Sequence, residues 1–423
     1  MASAPTVEKV ELYHVRVPLP ATFYPSWIPG FPQRQNRFDL VRIVDSDGLE
    51  GVSAGPAMGR ERAGLGQLLG PYLLGEDATD LALVKQRLRE MGYLGWKNAW
   101  IEHAFWDLAG KRANKPVYQL LAPELEGKEV TVKLYASTGE LKEPAARIAE
   151  CEARIAEGFD TIKLRVHDVD EAKDIAQVVE VARALQGRVT LGVDANQGWR
   201  VSAIADAPLW DLPRAQRFAT ACAEVGVAWI EEPLPMDGYA DLAALSTLSP
   251  VPIAGGELHT GGLPELSMMI EKRCYSIFQP DCCFAGGMAD TLEVARRCRA
   301  AGLQFSPHTW TNGFGFAANL HVFAASGFAA EKALEYPYNP PSWTVEARDG
   351  GLMDPFVHQR GTLKVPQKPG LGVDVDWGAV ARYGTRTFVM DKTRLMIFGL
   401  FDRGLKAAKE IDAARRARRA RQL

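Results

Sequence analysis

Three short apolar runs in the middle of the chain each stop on acids. Val189-Thr-Leu-Gly-Val-Asp-Ala-Asn-Gln-Gly-Trp199 stops on Asp194 and Asn196, Val227-Ala-Trp-Ile-Glu-Glu-Pro233 on Glu231 and Glu232, and Pro252-Ile-Ala-Gly-Gly-Glu257 on Glu257. Such runs read as buried strands and their polar ends as a site. On a strand, residues two apart share a face, so Asp194 and Asn196 point the same way while Glu231 and Glu232 point to opposite faces. Carboxylates that converge beside an apolar core repel one another unless a cation sits between them. Oxygen-only donors suit a hard divalent ion, magnesium first.

Cations and a histidine accompany the acids. Thr161-Ile-Lys-Leu-Arg-Val166 places Lys163 and Arg165 on one strand face, a placement that a merely solvated lysine would not need. Gln279-Pro-Asp281 and Phe305-Ser-Pro-His308 end two further runs, so neighbouring strands bring Asp281 against His308. A carboxylate behind an imidazole orients it and raises its basicity, as a general base requires, although a lone histidine is as readily structural. Glu335 ends one more run at the same rim.

The elements that must position these groups follow from the spacing. From about Val130, short apolar strands alternate with amphipathic segments at 143–157, 171–185 and 289–301. Strand ends fall near Ser137, Arg165, Asn196, Glu231, Glu257, Asp281, His308 and Glu335, roughly 25 to 35 residues apart, the length of one strand-plus-helix unit. That series predicts a closed parallel barrel with its chemistry at the carboxyl ends of the strands; an open doubly wound sheet is the alternative. Upstream, residues 7–17 and 38–44 read as strands, with Asp45-Ser-Asp-Gly48 turning into an antiparallel hairpin, and helices follow over 80–91 and 98–112. Phe23-Tyr-Pro-Ser-Trp-Ile-Pro-Gly-Phe31 is either a loop packed on its own domain or a lid over a pocket. Gly64-Leu-Gly-Gln-Leu-Leu-Gly70 lacks the spacing and the preceding strand of a dinucleotide loop. Past Pro337 the pattern is irregular, and residues from Ala379 on are expected to rejoin the N-terminal part. The run Arg415-Arg-Ala-Arg-Arg-Ala-Arg421 reads as a solvated helix end or a weak anion contact.

Bulk properties set limits. With 423 residues, 47% hydrophobic and 24% charged, the chain can form one large domain plus a smaller one. A formal charge of -3 and pI near 6.2 give no general attraction to nucleic acid or to a membrane surface. No long apolar span and no charged-then-apolar leader is present, so a soluble cytoplasmic protein is expected. The six cysteines form no C-x-x-C pattern, which argues against a zinc or redox site.

Taken in order, Lys163-Leu-Arg165, Val193-Asp-Ala-Asn-Gln197, Ile230-Glu-Glu-Pro233, Gly256-Glu257, Gln279-Pro-Asp281, Ser306-Pro-His308 and Glu335 resemble the enolase superfamily, in particular its mandelate racemase subgroup (mandelate racemase/muconate lactonizing enzyme). Phe105-Trp-Asp-Leu-Ala-Gly-Lys111, Pro116 and Pro369-Gly-Leu-Gly372 support the match, which extends over nearly the whole chain. The resemblance implies an α/β fold, a modified TIM barrel (β/α)7β at 130–371, with an α+β capping domain formed by 1–129 and the returning segment 372–423. It implies Asp194, Glu231 and Glu257 as Mg2+ ligands, Glu231 rather than Glu232 being the ligand of its pair. Lys163 then polarises a substrate carboxylate, Asn196 also contacts substrate, Asp281 and His308 form the base dyad, and Glu335 is a protonated hydrogen-bond donor to that carboxylate. A small-molecule carboxylate substrate and an even-numbered homo-oligomer are implied as well.

One departure bears on the reaction: Arg165 stands where the racemase prototype has a second lysine. Arginine stays charged and makes a poor base, although it can clamp an anion. Racemisation needs a base on each face of the carbanion, whereas elimination can use His308 alone. A dehydratase acting on a hydroxy acid, most simply an acid sugar, is therefore expected, with a racemase or epimerase as the alternative. The aromatic segment around Trp27 is more apolar than a polyhydroxylated substrate invites. A non-catalytic binder on an old enzyme scaffold is the rival from another class.

Overall fold

The computed structural model describes residues 4–56, 70, 72–94, 97–199 and 209–422, some side chains of the last helix excepted. All of the Gly64–Gly70 run except its last residue lies outside them. The chain opens with β1 (Val7–Phe23) paired antiparallel to β2 (Gln33–Asp45), which pairs antiparallel to β3 (Glu50–Pro56). The β2–β3 turn is closed by Asp45, whose Oδ1 accepts from the amides of Asp47 at 3.0 Å and Leu49 at 2.9 Å, with Gly48 supplying a φ of 80°. Helices α1 (Leu81–Tyr93), α2 (Glu102–Ala113) and α3 (Val117–Leu121) follow. Gly51 of β3 lets α2 lie against the sheet: a Cβ there would fall 2.0 Å from the Ala104 carbonyl oxygen.

Eight parallel strands come next: β4 (Thr131–Ser137), β5 (Thr161–Arg165), β6 (Thr190–Asp194), β7 (Trp229–Glu231), β8 (Ile253–Gly255), β9 (Ile277–Phe278), β10 (Gln304–Phe305) and β11 (Ala333–Pro337). Between them run α4 (Pro144–Ala156), α5 (Glu171–Leu185), α6 (Leu212–Glu224), α7 (Tyr239–Leu248), α8 (Leu263–Glu271), α9 (Gly287–Ala300) and α10 (Gly313–Ala325). The strands pair in the order β10-β9-β8-β7-β6-β5-β4-β11. Side chains cross the seam between the two end strands: Ser306 Oγ donates to the Ala333 carbonyl at 2.8 Å, and Thr309 Oγ1 donates to the Glu335 carbonyl at 2.9 Å. The strands are short and buried on both faces, so the large core mixes strand residues such as Ile162, Val193 and Ile230 with the inner faces of the helices.

Beyond β11 come α11 (Val345–Asp349), β12 (Thr362–Lys364), α12 (Trp377–Tyr383), β13 (Gly384–Asp391) and α13 (Lys392–Gln422). β12 adds antiparallel to β4, an element inside the stretch whose sequence reads as irregular. β13 pairs antiparallel with β1, so the first sheet has the order β13-β1-β2-β3. The two layers are tied through Asp107, whose buried carboxylate accepts from the amides of Val52 at 3.0 Å and Leu371 at 2.9 Å and from Lys111 Nζ at 2.7 Å. Gly370 (φ 79°) lies so close that a Cβ there would fall 2.1 Å from Asp107 Oδ1. That geometry explains why Phe105–Lys111 and Pro369–Gly372 accompany each other in the sequence.

Candidate active site

The register of the barrel strands sets the site. Arg165 pairs with Asp194, and Asp194 with Glu231, so three charged side chains stand side by side at the ends of β5, β6 and β7. Pairing then stops for identifiable reasons. Asn196 (φ 48°), Glu232 (φ 45°) and Gly256 (φ 121°) leave strand geometry, and Pro280 and Pro307 lack the N–H a ladder needs. The predicted strand ends at Asn196, Glu257, Asp281 and His308 are thereby corrected to Asp194, Gly255, Phe278 and Phe305. The chemical residues occupy the first positions beyond them.

Two ion-paired layers result. In the lower one Lys163 is fully buried, with its Nζ 2.6 Å from Glu231 Oε1, 2.7 Å from Glu335 Oε1 and 3.5 Å from Asp194 Oδ2. Burial works against the ammonium, but Glu231 and Glu335 outweigh it and hold the amine protonated. Arg165 is ion-paired to Asp194 and donates to the Thr138 carbonyl at 2.6 Å and to Ser137 Oγ at 3.0 Å. Its guanidinium packs beside the rings of Trp27 and Trp310, 5.6 and 5.2 Å from their centroids, the two rings themselves meeting edge-on at 5.2 Å.

The upper layer holds the histidine. His308 Nδ1 is 3.0 Å from Asp281 Oδ2, while Nε2 is 3.4 Å from Glu257 Oε2. Asp281 is fixed in turn by the Cys283 amide at 2.7 Å and Asn319 Nδ2 at 2.8 Å. Burial disfavours the imidazolium, but Glu257, Glu335 and Asp281 together raise the imidazole to about 10. Above it opens a cavity of about 950 Å³, lined among others by Trp27, Arg165, Asn196, Glu257, His308 and Trp310.

Glu335 departs from the protonated donor that the resemblance implied. Its carboxyl accepts from Ser137 Oγ at 2.8 Å, from Lys163, and from the Thr309 amide at 2.7 Å. Burial pushes it up, but Lys163, His308 and Arg165 outweigh burial and hold it well below the usual carboxylate range.

Asp194, Glu231 and Glu257 lie at one end of three neighbouring strands. Among the described residues, however, no three His, Cys, Asp or Glu side chains gather as a metal-holding group. The reason is visible in the partners: Asp194 and Glu231 face Arg165 and Lys163, Glu231 Oε2 also accepts from Gln279 Nε2 at 2.9 Å, and Glu257 faces His308. The charge balance nevertheless fits a cation. Six acids, Asp194, Glu231, Glu232, Glu257, Asp281 and Glu335, share this end with Lys163, Arg165 and His308. Burial raises Glu231 to about 7, and raises Glu232 and Glu257 as well, which marks negative charge the protein's own cations do not offset.

Several participants were not legible in the sequence. Glu232 lines the cavity because its left-handed backbone breaks strand alternation, and its carboxylate packs over Gly198, where a Cβ would fall 2.2 Å from Oε1. Ser137, Gln279 and Asn319 hold charged groups in place, and their types carry no signal of it. The Phe23–Phe31 segment reaches the barrel: the Ser26 amide donates to the Gly139 carbonyl at 2.8 Å, and Ser26 Oγ donates to Asn196 Oδ1 at 2.7 Å. The segment packs with Trp310 and Trp343 through Phe23 and Trp27, and Trp27 lines the cavity.

Comparisons with known proteins agree with this architecture. A model of the enolase C-terminal domain-like family matches residues 146–379, and one of the mandelate racemase/muconate lactonizing enzyme N-terminal domain matches residues 10–122. D-galactarolactone cycloisomerase from Agrobacterium fabrum is 27% identical over 380 residues, covering 84% of this chain and 94% of its own. Arabinonate dehydratase from Saccharolobus solfataricus is 27% identical over 376 residues, covering 84% and 93%. The structure of L-talarate dehydratase from Polaromonas sp. JS666, complexed with Mg and L-glucarate, has a TM-score of 0.76 at 25% identity, covering 92% of this chain and 100% of that one. With both domain models matched in order across a cap and a parallel barrel-like sheet, the chain belongs to the mandelate racemase/muconate lactonizing enzyme family of the enolase superfamily.

Proposed function

We propose that this protein abstracts the α-proton of a hydroxy-carboxylate and eliminates a β-hydroxyl as water, giving a 2-keto acid, with an acid sugar as substrate. The observation that carries this reading is the asymmetry of the cavity. His308, backed by Asp281, is a base with a carboxylate behind it, whereas the cations on β5 are held charged, Lys163 by Glu231 and Glu335 and Arg165 by Asp194. A charged ammonium and a guanidinium cannot take a proton from the opposite face. They can hold the substrate carboxylate and meet the charge that develops on it.

Asp194, Glu231 and Glu257 would hold Mg2+. Bound there, the ion would supply Lewis acidity toward the substrate carboxylate and offset the negative charge that keeps His308 protonated. His308 then removes the α-proton, the electron pair forms the Cα–Cβ double bond as the β-hydroxyl leaves, and the same imidazolium protonates it to water. The enol so formed tautomerises to the 2-keto acid. Asn196, held between Ser26 and Arg165, offers an amide to the substrate, and Glu335 keeps Lys163 aimed at the carboxylate. The L-talarate dehydratase structure and the arabinonate dehydratase relative support elimination as the reaction, and the magnesium in the former supports the choice of ion.

The experiment is turnover of an aldonate and aldarate panel with Mg2+ in deuterated water. The expected product is a 2-keto acid. Recovery of hydroxy acid labelled at Cα without elimination would assign the chain to racemisation instead.

A further inference from the structure

The cavity above the dyad has a second cationic end. Lys97, exposed and just ahead of α2, lines it from the N-terminal part of the chain. Its Nζ donates to Thr260 Oγ1 at 3.1 Å, which holds it at the loop after β8, three strands along the sheet from Lys163 and Arg165 on β5. The other cations of the site are already paired: Arg165 faces Asp194, Lys163 faces Glu231 and Glu335, and His308 faces Asp281 and Glu257. Among the described residues no carboxylate pairs with Lys97. Thr260, its hydrogen-bond partner, is neutral.

Between the two ends the wall is largely apolar. Met236, Leu258, Phe284 and Trp199 line it with few polar groups among them, so an extended occupant is located by its ends. One end of an acid sugar is the carboxylate that the proposed chemistry holds at β5. The other end separates two classes. An aldonate ends in a neutral CH2OH, which would cover the Lys97 ammonium as water leaves the cavity, and a cation so covered loses hydration without gaining a partner. An aldarate ends in a second carboxylate, which can accept a charge-assisted hydrogen bond from Nζ. The Thr260 hydroxyl, accepting from Lys97, keeps its own proton to donate to the same group.

We infer that Lys97 determines specificity in this site, and that the substrate is an aldarate whose distal carboxylate binds Lys97 and Thr260 across the cavity from Lys163 and Arg165. The inference rests on the dehydratase reading for the reaction and adds which class of acid sugar the cavity takes.

The test assays the full-length, Mg2+-loaded protein for 2-keto acid with aldarates and aldonates of matched configuration, each pair differing only at the terminal carbon. Wild type is expected to favour the aldarate by about tenfold or more in kcat/KM, carried by KM, as one hydrogen bond to a charged group implies. In Lys97→Met that preference should fall to near unity, and in Lys97→Arg most of it should return; a merely structural role would lower both substrates alike. Aldonates turned over as well as aldarates by wild type, or a preference in Lys97→Met equal to that of wild type, overturns the inference and leaves the dehydratase reading standing. If no acid sugar yields a 2-keto acid, that reading fails instead, and calorimetric binding of adipate against its monoamide decides for Lys97. Tighter binding of adipate in wild type but not in Lys97→Met upholds the distal carboxylate site; equal binding of the two, or of neither, overturns it.

Discussion

At Arg165 one side chain replaces what a second lysine would do with a different physics. Its donors reach Thr138, Ser137 and Asp194, and its guanidinium packs against both Trp27 and Trp310. A lysine is a point charge and cannot keep that fork or that contact with both rings. Arg165→Lys is therefore expected to lower kcat/KM by about 10- to 100-fold through lost positioning. Unchanged kinetics in that variant would show that charge alone suffices there. Asp281 and His308 were legible from the sequence because each follows a short apolar run closed by a proline, just beyond the strand end. Glu232 was not, because a left-handed backbone at one residue cannot be seen in a strand pattern.

Among the elements, the barrel strands owe their alignment to small residues as much as to β-branched ones. Gly192 on β6 registers with Trp229 on β7, and a Cβ there would fall 2.1 Å from the indole ring. The same ring donates from Nε1 to Glu231 Oε2 at 3.4 Å. Gly192→Ala is expected to push the ring aside, cost about 1–3 kcal/mol in stability and disturb Glu231, checked by thermal unfolding alongside turnover. A melt within error of wild type would mean that the two strands separate more easily than their packing implies. The alternation of strand and helix made the barrel readable, since each unit is local. β12 escaped notice because its three residues gain strand character only by pairing with β4, more than two hundred residues away in the chain. The long reach of β1 to Phe23 was shortened for a similar reason: Pro18 and Pro20 suggest an end that pairing with β2 overrides.

For the molecule as a whole, two buried histidines outside the base dyad contribute to the acid limit. His321 accepts from the Tyr118 amide at Nδ1 (3.1 Å) and faces the Leu371 carbonyl with Nε2 at 3.1 Å, so it is held neutral between α3 and the returning segment. His103 is buried against the Cys282 carbonyl at 3.2 Å. Burial lowers both from 6.5 to about 4. Unfolded, they take up protons below 6.5; folded, they resist until about 4, so the stability they permit is present above 6.5 and falls as pH drops through that window. The loss should reach several kcal/mol at the acid end, and His321→Gln should flatten it by about half in denaturant titrations at each pH. A slope identical to wild type would show that His321 charges without cost.

All of these features serve one claim, that an imidazole braced by Asp281 takes a proton from carbon beside a three-acid cation site. The most direct measurement pairs calorimetric Mg2+ binding with turnover in His308→Asn, using the hydroxy acid that the wild-type protein converts. Elimination should fall by about 10³-fold or more, while Mg2+ affinity stays within a few-fold of wild type. A variant that still releases 2-keto acid, or that loses its magnesium, would contradict the account.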